Sequence, residues 1–290
     1  MTDAAATYLP HDLAGSGAVR VGPGGGPAHL LNQVKHAHRV PPFLAGRVVF
    51  RPLSGTLVVV ASNLAYHGSD GDYFAEHADT GTWNRHVDRP TLLALIGDVS
   101  GQRVLDAGCG AGHYAAALVQ CGASVLGLEG SSVLVTHARA RLGDRADVIQ
   151  HDLDTPLDQL DDASFDGVVC ALVLHHLRDR PQFLRELFRV LRPGGWLALS
   201  TTHPTFDWTH FGDSYFSQEW VELVMRDGKH SIRYQRMSLE TIVGELLSVG
   251  FVLDRVVESR PDESLRERSQ EAYDDLHRHP SLLALRLHRP

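Results

Sequence analysis

With 290 residues, 43% hydrophobic and 21% charged, the chain has material for one sizeable α/β core plus appendages, which excludes a disordered or collagen-like polymer. A formal net charge of −8 without a dense block of cations disfavours nucleic acid as a partner. Cys109, Cys121 and Cys170 are too few for a disulfide framework and not at ligand spacing; with no long apolar span and no secretory pattern in MTDAAATYLPHD, the expectation is a cytoplasmic protein with no membrane partner and no metal.

In chain order, residues 1–60 carry two acids against five bases and contain VGPGGGP at 21–27 and PP at 41–42. Breakers at these intervals prevent a long periodic element, so a loose or disordered leader is expected. His36 and His38 lack acid or thiol partners and are not read as a metal site. The domain proper is placed at 61–290. Within it, Tyr73 to Asp98 reads as two short helices, with Pro90 near an N-terminus and TLLALI as an apolar face. Residues 61–98 are read as a lid, with Tyr73, Trp83 and Asn84 facing an acceptor.

Strand and helix then alternate. Apolar runs occur at RVLDAGC, SVLGLEG, ADVIQHD, FDGVVCAL and GWLALST, and helical patterns lie at about 113–121, 131–142 and 181–192. Strands buried on both faces with helices between them imply a doubly wound, Rossmann-like α/β sheet. SLETIVGELLSVG adds a helix, and GFVLDRVVESRP and LLALRLHR add a sixth and a seventh strand.

The chemistry concentrates where RVLDAGC turns into a helix through Gly108, Gly110 and Gly112. Glycine lets backbone approach a ligand and tolerates positive φ, so the turn points to a nucleotide-like cofactor. The spacing is GxGxG, with Asp106 two residues before the first glycine, which departs from the pyrophosphate-binding fingerprint. Glu129 ends the second strand 21 residues after Gly108, where an acid can accept from both hydroxyls of a ribose. Asp152 ends the third and can accept from an exocyclic amine, or cap a turn. Two alternatives share these features: a nicotinamide-dependent oxidoreductase and a non-catalytic cofactor-binding subunit.

Taken in order, VLDAGCGAG, GLEGS, HDL and RVLRPGGWLALS resemble the class I S-adenosylmethionine-dependent methyltransferases, over about residues 73–290. The resemblance implies a seven-stranded sheet with an antiparallel last strand and S-adenosyl-L-methionine as cofactor. It places Asp106, Gly108, Gly110 and Gly112 at the methionine end, Glu129 and Gly130 at the ribose, and Asp152 and Leu153 at the adenine. Ala171 and Leu172 would lie under the adenosine and sulfonium, and RVLRPGG is structural. LHHL after the fourth strand and HP after the fifth resemble small-molecule, type 11-like methyltransferases, common in bacterial secondary metabolism.

The acceptor is constrained by absences. No Asn/Asp-Pro-Pro-aromatic run and no Pro-Cys pair follow the fourth strand, where Ala171-Leu172-Val173-Leu174-His175-His176 stands, so base methylation is disfavoured. HPTFDWTHFGDSYFSQEW at 203–220 holds six aromatic residues, and 203–237 is read as an acceptor-side insertion. Trp208 and Tyr215 are expected to wall the pocket of a small aromatic or apolar acceptor. His175, His176 and His203 are the candidate bases for an acceptor that carries a proton. Whether carbon, nitrogen or oxygen is methylated stays open.

Overall fold

The computed structural model describes residue 66 and residues 68–290 except 213 and 226; the leader at 1–60 and the His36/His38 pair lie outside the described residues. Helix α1 (Gly68–His77) is followed by a single π-helical turn, Asn84–Asp88, which runs into α2 (Arg89–Ile96) with Pro90 in its first turn. This is the two-helix entry expected from the sequence. Strand β1 (Arg103–Ala107), α3 (His113–Gln120), β2 (Ser124–Glu129), α4 (Ser132–Leu142) and β3 (Asp147–Gln150) then alternate. Next come β4 (Phe165–Ala171), α5 (Arg180–Val190) and β5 (Leu191–Thr202). Side chains cap these helices: Ser131 accepts from Leu134 N at the start of α4, and Asp179 from Gln182 N at the start of α5.

Beyond β5 the chain forms α6 (Pro204–Phe211) and a separate antiparallel hairpin, β6 (Trp220–Val224) with β7 (Ser231–Gln235). It returns through α7 (Leu239–Val249) and β8 (Val252–Glu258). Two further helices, α8 (Glu263–Arg268) and α9 (Gln270–Arg278), precede β9 (Leu282–His288). The hairpin and the α8–α9 pair are additions to the elements read from the sequence.

The main sheet has the order β3-β2-β1-β4-β5-β9-β8. β1 to β5 pair in parallel and β9 runs antiparallel between β5 and β8. The sheet is the Rossmann-like one expected, down to the reversed last strand. Alternate residues of each strand feed opposite cores. Leu105, Val168 and Leu197 meet Phe183, Leu187 and Ile242 from α5 and α7, while Val104, Val169 and Ala198 meet Leu92, Leu118 and Val135 from α2, α3 and α4. Burying each large apolar side chain stabilises the fold by about 1.5–3 kcal/mol.

Chain order reverses between β1 and β4, which opens a crevice at their carboxyl ends. A third cluster closes one side of it. Leu265, Tyr273 and Leu276 of α8 and α9 pack on Val87 and Trp83, and His86 bonds through Nδ1 to Asp262 and Ser264. The α8–α9 pair thereby pins the segment before α2 over the sheet.

Candidate active site

A cavity of about 500 Å³ occupies the crevice, within the range of roughly 300–1,000 Å³ usual for small-molecule sites. On one side its wall is the turn after β1. Gly108 N and Cys109 N donate to Leu128 O at 2.8 and 2.9 Å, which ties the turn to β2. Gly108 has φ +82°, and a Cβ there would lie 2.3 Å from Val173 Cγ2, so no other residue fits. Glu129 accepts from Gly110 N at 2.9 Å through Oε2 and from Ser131 N at 2.8 Å through Oε1. A carboxylate has about four acceptor positions, so these bonds leave Glu129 capacity to accept from a ligand hydroxyl. Burial pushes the Glu129 carboxyl above its ordinary range, and the N–H groups of Ser131, Gly110 and Gly130 partly offset this.

Further along the same wall lie Gly130, Asp152 and Leu153, then Ala171 and Leu172 at the end of β4. Leu172 holds φ +57°, uncommon for a branched side chain, and is anchored by its N–H to Ser200 O at 3.0 Å. Two of the residues expected here point elsewhere. Asp106 is 1% exposed and does not reach the cavity; its Oδ2 accepts from Ala115 N, joining β1 to α3, and burial raises its pKa to about 7. Gly112 also stands behind the wall, where a Cβ would meet Ala138 Cα at 3.2 Å; its task is close packing of α3 on α4.

The opposite side is apolar. Leu223, Val224 and Met225 at the end of β6, and Ile232 and Tyr234 on β7, line it together with Tyr66, Tyr73, Phe74 and Trp83. Tyr73 is stacked between His77 and His230, with ring centroids at 4.0 and 4.3 Å. Asn84 also lines the cavity.

Between the two sides stand His175 and His176, in a 3₁₀ turn after β4. His175 is buried, bonded through Nδ1 to Thr201 Oγ1 at 2.9 Å, and burial holds its pKa well below the ordinary value. His176 Nδ1 lies 3.0 Å from Arg233 O. A carbonyl only accepts, so Nδ1 carries the proton and Nε2 keeps its lone pair. His176 lines the cavity, and its Nε2 lies 3.4 Å from the hydroxyl of Tyr66, which in this tautomer donates to it. Burial lowers the pKa of His176 to about 4, which keeps the ring neutral at physiological pH.

His203, Trp208 and Tyr215 do not line the cavity. His203 caps α6, accepting from Thr205 N at 3.2 Å, and pairs through Nε2 with Glu258 at 3.3 Å. Trp208, 46% exposed, and Tyr215 meet edge to face at 6.2 Å on the outer side of α6, away from the cavity. Clustered aromatics signalled an insertion, but the hairpin beyond them forms the wall. The alternation of SIRYQ, beside the largely apolar WVELV, was the available signal for it. Asp88, Arg89 and Arg268 also line the cavity, and nothing local in the sequence marks them.

The methyltransferase domain family matches residues 105–199. A ubiquinone biosynthesis O-methyltransferase of Xanthomonas oryzae is 31% identical over 177 residues, which cover 57% of this chain and 73% of that protein. The chain belongs to the class I S-adenosylmethionine-dependent methyltransferases. A Mycolicibacterium smegmatis protein named as an S-adenosylmethionine-dependent methyltransferase is 44% identical over 103 residues, which cover 35% of this chain and 38% of that protein. An S-adenosylmethionine-dependent methyltransferase from Mesorhizobium loti shares the fold, with a TM-score of 0.57 and 24% identity over 73% of this chain and 99% of the other.

The cofactor of this methyltransferase is S-adenosylmethionine. Its chemistry suits the site: a ribose hydroxyl finds acceptor capacity on Glu129, and the cavity admits an elongated small molecule. An oxidoreductase reading is set aside. Among the described residues no helix is long and apolar enough to cross a membrane.

Proposed function

We propose that this methyltransferase transfers the methyl group of S-adenosylmethionine to a hydroxyl of a small, partly aromatic molecule, with His176 accepting the hydroxyl proton. The position of His176 in the cavity lining, with Nδ1 held by Arg233 O and Nε2 unprotonated beside the Tyr66 hydroxyl, carries this reading. The name of the Xanthomonas relative, an O-methyltransferase of ubiquinone biosynthesis, is consistent with a hydroxyl acceptor.

In this reading residues 61–290 are the catalytic domain, residues 61–98 its lid and residues 203–237 the acceptor-side insertion. Glu129 and Gly130 hold the ribose, Asp152 and Leu153 the adenine, and Gly108 and Gly110 the start of the methionyl arm. Ala171 and Leu172 would line the wall beside it. When bound, the cofactor supplies a methyl group on a cationic sulfur, which a nucleophile displaces in line. The apolar wall of Leu223, Met225 and Ile232 holds the acceptor against Tyr73 and Trp83 and excludes water. His176, whose Nδ1 Arg233 O holds protonated, would take the proton of the acceptor hydroxyl on Nε2.

Transfer from labelled cofactor to a panel of phenols, anilines and aryl carboxylates tests the proposal. Turnover is expected on phenols, and anilines or carboxylates as the only acceptors would contradict it.

A further inference from the structure

Asp106, the acid expected at the methionyl end of the cofactor, is 1% exposed, is absent from the cavity lining and accepts from Ala115 N through Oδ2. A second acid reaches the cavity instead. Asp88, the last residue of the π-helical turn, lines it and is 2% exposed. Its Oδ2 accepts from the Tyr114 hydroxyl at 2.7 Å, while its Oδ1 is buried with no hydrogen-bond partner. The nearby hydroxyl of Ser200 on β5 is buried without one as well. A carboxylate oxygen held from water, with only the poorly aligned Ser200 hydroxyl and the Arg89 charge near the group, is incompletely satisfied, and a cationic donor entering the cavity improves it.

Position identifies that donor. The strand order β3-β2-β1 sets Asp152, Glu129 and the Gly108 turn in a row across the cavity floor. Tyr114, the second residue of α3, brings Asp88 to the next place in this row. A nucleoside with its ribose on Glu129 and its base at Asp152 therefore extends its 5′ arm toward Asp88. The sulfonium on that arm has no N–H or O–H; the α-ammonium has three donors. We infer that Asp88 binds the α-ammonium of the cofactor's methionyl group, in place of Asp106. Burial pushes the Asp88 carboxyl up, offset by Tyr114, Ser200 and Arg89, and a bound ammonium draws it further toward the charged form.

The inference rests on the cofactor orientation proposed above. Calorimetry on the full chain separates the two, using S-adenosylhomocysteine and 5′-methylthioadenosine, which lacks the amino-acid end. Asp88→Asn is expected to weaken S-adenosylhomocysteine roughly 10- to 100-fold, the loss of a charge-assisted hydrogen bond, and to leave 5′-methylthioadenosine unchanged. Tyr114→Phe, which keeps the carboxylate, retains the preference for S-adenosylhomocysteine. Equal losses for both ligands, no loss for either, or a Tyr114→Phe variant that reproduces Asp88→Asn would overturn it. Glu129→Ala tests the orientation separately, because both ligands carry the ribose and both should weaken. On the unaltered protein, an S-adenosylhomocysteine analogue lacking the amino group is expected to bind like 5′-methylthioadenosine, and full affinity for it would also overturn the inference.

Discussion

Along β1, β2 and β3 the cavity wall consists of backbone N–H groups and carboxylates, whereas along the β6–β7 hairpin it consists of Leu223, Val224, Met225 and Ile232. The first wall is held by short-range bonds: Gly110 and Ser131 reach Glu129 across 19 and 2 residues. The second is assembled from a distance, because Arg233 fixes the tautomer of His176 from 57 residues away. Recognition through backbone and one acid leaves little freedom to change the ligand. An apolar wall of replaceable side chains leaves a great deal, so one fold can keep its cofactor while its acceptor changes.

The sharpest way to break this division is His176→Ala. It should lower kcat about 100-fold or more on a hydroxyl acceptor and leave S-adenosylhomocysteine affinity unchanged, as steady-state rates and calorimetry would read. Affinity falling with the rate would make the histidine part of the cofactor wall. The pH profile sharpens the same point. Burial depresses His176 to about 4, so the neutral, competent form persists above that value, and its limb should appear as activity lost when pH falls through about 4. A limb near the ordinary histidine value would contradict the burial.

Next in size is Glu129→Ala, which should weaken S-adenosylhomocysteine roughly 10- to 100-fold while leaving the acceptor KM in place. Ile232→Ala should do the reverse, raising the acceptor KM roughly 10-fold with cofactor affinity intact. The smallest effects are expected outside both walls. Trp208→Ala should leave the kinetics unchanged, because the ring is half exposed on the outer side of α6.

The same division governs what could be read before the fold was known. RVLDA and SVLGLE announce buried strands because both of their faces are apolar, and the register of Gly108 with Glu129 follows from adjacent parallel strands. Asp106 misleads because an acid beside the turn can face either the cavity or the helix start, and only packing decides. His203 follows a strand end as a ligand residue would, yet its imidazole caps α6. The six aromatics at 203–220 show that an insertion begins, not which of its faces turns inward. Asp88 carries no local signal, since its meaning depends on Tyr114, 26 residues away. QEAYDDLHR is amphipathic, with Ala272, Tyr273 and Leu276 buried, but only the tertiary fold shows that this face covers Val87 and Trp83.

The most direct test of the two-walled site is a crystal structure of the protein with S-adenosylhomocysteine. The account predicts both ribose hydroxyls within about 3.2 Å of the Glu129 carboxylate. It also predicts the sulfur turned toward His176, with the space between it and the hairpin left open for an acceptor. A ribose held away from Glu129, or a sulfur facing away from His176, would contradict it.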